Sequence, residues 1–345
     1  MPETDSKINY SLRPQKAMER RMMCDLLKVL NPTFDLSQYN YIGMGAKYFT
    51  DFILFHRELG IKKMKSIEAD VEHQKKYDFN IPLKCIDMYY GFVKDYIDSY
   101  EDNGEPFFFW LDYDYGIDQS IMDDCNKLIN KLKPGDIFFV SFNSMIANRR
   151  KADSFPDYCK SLTKRFEKIR TGLGVYAPTY EVLPKVLMDN LKRDGVFVDV
   201  LKNMIDSQLS TRNGGNKNGE GKKLSFFQMA FFSYSDGADM VTWGGMVVDE
   251  EKEEQVRSLL MGNSLPFLSG IEWGERKGDI LSEDIPPFDL RIPLLTYREF
   301  TALQREFPTE ELEQIDIAGF EEKELKQLNK LYRYYSPYLE AGVIN

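Results

Sequence analysis

At 345 residues, with 43% hydrophobic and 29% charged side chains, the chain can bury a large core and is not disordered by composition. Its net charge of −10 excludes the basic signature of a nonspecific nucleic-acid binder. Cys24, Cys85, Cys125 and Cys159 lie far apart without CxxC spacing, and His56 and His73 are the only histidines, so no disulfide framework, zinc site or other metal centre is expected.

In chain order, Pro14 and the spacing of Met18, Met22, Leu26 and Leu30 predict a helix over 14–30. Short apolar runs then predict strands at 39–43, 64–68, 82–87, 107–112 and 136–142. Helical segments at 46–59 and 118–132 fall between them, and Lys133-Pro134-Gly135 turns the chain into the fifth strand. The run FFFWLD at 107–112 is apolar on both faces, as a strand covered on both sides must be. Residues 150–210 read as polar helices, and RNGGNKNGEGKK at 212–223 reads as a flexible loop. Runs 226–235 and 240–248 flank Asp236-Gly237-Ala238-Asp239 and predict an antiparallel hairpin. A charged helix over 250–261, a stretch around Pro286-Pro287 and a terminal helix over 310–336 complete the chain. With no long apolar run and no apolar N-terminal core, a cytoplasmic protein without membrane contact is expected.

Strands alternating with helices imply parallel βαβ units. Five such units and a late hairpin match the build of class I methyltransferases. The expected fold is therefore α/β and Rossmann-like, a mostly parallel seven-stranded sheet with an antiparallel hairpin, a helical insertion and a C-terminal helical extension. The expected units are a cofactor-binding core at 1–149, an insertion or lid at 150–225, the hairpin at 226–249 and the extension at 250–345.

In open α/β sheets, ligands sit outside the carboxyl ends of the strands. After the first strand come Gly43 and Gly45, which permit close backbone approach to a ligand. A dinucleotide fingerprint would need a further glycine where Tyr48 stands, which disfavours NAD. Glu68 follows the second strand and can accept both ribose hydroxyls of an adenosine. Asp87 follows the third and can accept from an adenine amino group, with Met88 flanking the ring. Asp112 and Asp114 end the fourth strand, Asp112 as holder of an amino group or as base, Asp114 as base toward a substrate hydroxyl. Arg13, Lys16, Arg20 and Arg21 of the first helix are candidates to fold over the mouth.

The blocks SLRPQKAMERRMMCDLL, YIGMGAKYFTDFILFHRELGI, MKSIEAD and WLDYD together resemble a family of bacterial proteins labelled O-methyltransferases, often linked to anti-phage defence or mobile elements. The resemblance covers about residues 8–145 and, more loosely, the hairpin. It implies S-adenosylmethionine as cofactor, methyl transfer to an oxygen or nitrogen nucleophile of a small or macromolecular substrate, and a protein partner within a defence operon. Gly43, Gly45, Glu68, Asp87 and Asp112 match the cofactor-binding positions of class I methyltransferases. Tyr41 replaces the usual acid and Lys47 the third glycine. These departures keep a second expectation open: an inactive methyltransferase-like subunit binding a partner or a nucleotide.

Overall fold

The computed structural model describes residues 13–147, 151–215, 223–269, 271, 285–293, 295–315, 317 and 319–335. Helix α1 (Pro14–Phe34) starts on Pro14, whose missing N–H is no loss in a first turn. It runs four residues past the expected end and carries Pro32 in its last turn. Asn31 then stops it, accepting Asp35 N–H on its carbonyl at 3.0 Å and Leu36 N–H on Oδ1 at 2.8 Å.

The parallel half of the sheet follows as β1 (Asn40–Gly43), α2 (Thr50–Leu59), β2 (Lys63–Glu68), α3 (Gln74–Asn80), β3 (Ile86–Tyr90), α4 (Val93–Ser99), β4 (Phe107–Gly116), α5 (Gln119–Lys131) and β5 (Ile137–Asn143). Two strands depart from expectation. β3 lies later than 82–87, because Pro82 has no N–H for a ladder and Ile86 N–H turns back to Leu83 O at 3.2 Å. β4 continues four residues beyond Asp112. Its pairing with β5 shifts between Asp112 and Gly116.

Helices α6 (Phe155–Gly172), α7 (Pro184–Met188) and α8 (Asn190–Gly215) form the insertion. The expected loop 212–223 is helical through Gly215, and residues 216–222 lie outside the described residues. The hairpin is β6 (Ser225–Ser235) and β7 (Asp239–Val248), followed by α9 (Glu250–Met261), a short β8 (Phe288–Asp289), α10 (Tyr297–Glu306) and α11 (Glu322–Leu331). In place of the helix expected over 310–336, the described residues carry a 3₁₀ turn at Leu312–Gln314 and then α11.

The strand order is β3-β2-β1-β4-β5-β7-β6-β8, one strand more than expected. β1 to β5 are parallel, and β7 enters antiparallel between β5 and β6. Gly244 and Gly245 make that insertion possible. A Cβ on Gly244 would overlap the Phe138 carbonyl, and one on Gly245 the Phe227 carbonyl. One sheet face packs against α1, α2, α9, α10 and α11, and the other against α4, α5, α6 and α8. No helix among the described residues is long and apolar enough to cross a membrane.

Candidate functional site

The chain proceeds from β1 outward to β2 and β3, then returns to pair β4 on the other side of β1. Such a reversal opens a crevice at the carboxyl edge of the strands. Gly43 ends β1 there, and the turn 44–49 follows before α2 begins. Both glycines are required by the chain's own packing. A Cβ on Gly43 would meet the Tyr41 hydroxyl at 2.5 Å, and one on Gly45 would meet Phe49 at 2.7 Å and Phe52 at 2.9 Å. Gly45 N–H donates to Ser66 Oγ at 2.9 Å, which ties the turn to β2. Ala46 and Phe49 carry φ of 44° and 50°, so the turn holds left-handed backbone without glycine at either place.

Glu68 is the last residue of β2 and half-buried, opposite Tyr90. Its Oε1 accepts Asp70 N–H at 3.1 Å, which orients the carboxylate. Asp87 and Met88 do not end their strand. Asp87 is the second residue of β3, exposed and paired with Lys65, while Met88 packs on the α1 and α2 side. The residues that leave β3 at the carboxyl edge are Tyr90, Gly91 and Phe92, with Phe92 57% exposed. Tyr90 Oη donates to Asp78 Oδ1 at 2.6 Å and holds α3 against the edge.

At the end of β4, Asp112 is half-buried and Asp114 exposed. Asp112 Oδ1 accepts from Lys16 Nζ at 2.9 Å. Lys16 arrives from α1, is almost wholly buried, and also meets Glu19 at 2.8 Å and Tyr234 Oη at 3.0 Å. The ammonium lies 4.6 Å from the centroid of the Trp110 ring. Burial alone pushes this lysine's pKa down, but Asp112, Glu19 and Tyr234 outweigh it and hold the ammonium well above its ordinary range. Burial raises the Glu19 carboxyl, opposed by Lys16. Asp236 anchors the start of α1 by accepting Lys16 N–H at 2.7 Å. Nearby, Tyr41 Oη donates to Asp51 of α2, and burial raises that carboxyl against the pull of Arg20.

The α1 cations thus divide: Lys16 enters the β4 end and Arg20 is buried facing Asp51, whereas Arg21 reaches the Tyr334 carbonyl at 3.0 Å. Sequence reasoning missed Glu19, Asp51, Ser66 and Tyr234. The i,i+3 spacing of Lys16 and Glu19 on the apolar side of α1 was the one signal available for Glu19. Among the described residues, no group of three or more His, Cys, Asp or Glu side chains could hold a metal ion. A cavity of about 660 Å³ opens away from this edge, on the α4 face of β1 to β3.

The sequence profile of the family described as "Putative O-methyltransferase" matches residues 8–343. The chain belongs to this family. No curated protein matches it. Solved structures resemble it more distantly. A "putative O-methyltransferase" from Klebsiella pneumoniae is 14% identical, with 70% of this chain and 93% of that one covered and a TM-score of 0.29. The fibrillarin/Nop5p complex is 11% identical, covering 61% and 73%, with a TM-score of 0.33. LepI complexed with SAM is 9% identical, covering 64% and 46%, with a TM-score of 0.33. A "putative S-adenosylmethionine dependent methyltransferase" from Listeria monocytogenes is 16% identical with a TM-score of 0.27, and the match spans 55% of that chain, about half its length. The strand order and the family profile carry the assignment.

Proposed function

We propose that this member of the family is an S-adenosylmethionine-dependent methyltransferase acting on an oxygen or nitrogen nucleophile, with oxygen favoured by the family description. The observation that carries the reading is the sheet order, with the glycine turn, Glu68 and Asp112 placed at its reversal. The donor set fits the cofactor in part. Glu68 would take the ribose hydroxyls, and Asp112 would orient the amino group of the methionine moiety. Phe92, exposed beyond β3, takes the place assigned to Met88 as the apolar surface for the adenine. Asp87, four residues before Gly91, does not share that edge.

When bound, the cofactor supplies a methyl group on a sulfonium for in-line displacement. The chain's own residues supply alignment and a proton acceptor. Lys16 and Tyr234 pin the end of β4, and Asp112 positions rather than deprotonates because Lys16 holds its Oδ1. Asp114, exposed two residues on, takes the acceptor's proton. The insertion that carries α6 to α8 then shapes the acceptor site.

A second reading has one observation in its favour. Gly43 and Gly45 pack on the chain's own aromatic side chains, and the Gly45 N–H is taken by Ser66. That suits a subunit that binds a partner protein or a nucleotide in a bacterial defence system without catalysis. Calorimetric titration of the protein with S-adenosylmethionine and S-adenosylhomocysteine separates the two. Binding that Glu68→Ala weakens supports the enzyme, and no heat at about 1 mM ligand removes it.

A further inference from the structure

The cavity on the α4 face has a lining that the carboxyl-edge site does not explain. Alternation along the strands should place apolar residues on this face, as Ile42, Ile67 and Phe107 are. Instead Lys63, Lys65 and Asp87 point the same way. Helix α4 has seven residues, about 10 Å of length, and leaves the amino-terminal half of β1 to β3 uncovered on this side. The resulting cavity of about 660 Å³ is the size of a small-molecule site.

Four lysines line it: Lys62, Lys63, Lys65 and Lys84. Lys63 is held by Glu105. The side chains of Lys62, Lys65 and Lys84 have no hydrogen-bond or ion-pair partner among the described residues. Lys65 is half-buried, with Asp87 as its neighbour in register on β3. The acids in the lining are Asp87 and Glu101, which leaves the balance positive in a chain of net charge −10. Aromatic rings complete the lining: Tyr89 of β3 and Tyr96 of α4 pack edge to face with centroids 5.2 Å apart, and Tyr100 follows α4. Lysine side chains without a protein partner and tyrosine rings thus line one concavity.

We propose that this cavity binds a phosphorylated small molecule of mononucleotide size. The lysines at the mouth and on β2 take the phosphate, the tyrosines face the planar ring, and Asp87 accepts from a ring amino group. The basic groups are confined to one concavity, whereas a nucleic-acid strand would need an extended basic track. The site lies toward the amino ends of the strands and is independent of the cofactor reading above.

The test is calorimetry on the full chain, with AMP and with pyrophosphate as probes, each titrated with and without saturating S-adenosylhomocysteine. Both probes should bind, with a Kd for AMP below about 1 mM that rises with salt. Lys65→Met, and separately the exposed double substitution Lys62→Ala/Lys84→Ala, should each weaken AMP by about tenfold and leave S-adenosylhomocysteine binding unchanged. Absence of AMP binding, affinity unchanged in both variants, or AMP binding abolished by S-adenosylhomocysteine would overturn the proposal; the last result would place AMP at the carboxyl edge. If S-adenosylhomocysteine itself does not bind, the titrations without it still decide the cavity.

Discussion

Replacing Lys16 by Met isolates the ion cluster at the end of β4. The thioether keeps most of the stem and removes the charge that meets Asp112 at 2.9 Å and Glu19 at 2.8 Å. The two acids then differ. The Asp112 side chain is 28% exposed and can rehydrate, whereas Glu19 is 0% exposed and cannot. One stranded carboxylate in the interior costs about 3–5 kcal/mol, and that is the expected loss in urea unfolding near neutral pH. Adding Glu19→Gln removes the stranded charge and should return about 2 kcal/mol. The pH dependence has a definite sign. Without Lys16, Glu19 binds its proton more tightly folded than unfolded, so stability falls as pH rises and the Lys16→Met loss is smaller at acid than at alkaline pH. A loss below about 1 kcal/mol, or a double variant equal to the sum of the singles within about 0.5 kcal/mol, would refute the coupling.

Glu68→Ala should lower S-adenosylhomocysteine affinity by about 1–3 kcal/mol in calorimetry, with the melting curve little changed. Gly45→Ala pushes a methyl into the Phe49 and Phe52 rings and should cost about 1–3 kcal/mol in a denaturant titration. Gly245→Ala meets backbone, the Phe227 carbonyl, which cannot rotate away; it should be the more damaging of the two in the same assay. Asp136 is buried beneath Phe107 N–H and Lys133 N–H, and burial pushes its carboxyl up to about 6. The folded group therefore binds its proton more tightly than the unfolded one. Its contribution is full below the unfolded value and declines, by about 2–3 kcal/mol, as pH rises through about 6. Asp136→Asn should flatten that part of the stability profile, measured by urea midpoints across the range.

Much of the architecture was legible because the strands announce themselves locally. The run 107–111 is apolar on both faces, and Asp249 and Asp118 cap their helices through their own side chains. The late hairpin was legible from the turn residues between two apolar runs. β3 was misplaced because Cys85 and Ile86 continue an apolar stretch that Leu83 begins, and only the backbone turn at 83–86 separates them. That displacement moved Asp87 from the carboxyl edge to the α4 face. The Lys16 cluster was half legible. Its basic members stood out on α1, but a buried partner on β6, more than two hundred residues along the chain, leaves no local trace at Lys16.

The antiparallel entry of β7 between β5 and β6 also sets an order of events on the ribosome. β5 is complete once Asn143 has emerged, yet its free side is closed only by Asp239–Val248. Until the insertion and β6 have been made, a strand of seven residues, IFFVSFN, stands as an open and strongly apolar edge. That edge is a template for pairing with another nascent chain, and the insertion does not cover it, because α6 and α8 pack on the face of the sheet beside α5 and leave the edge to β7.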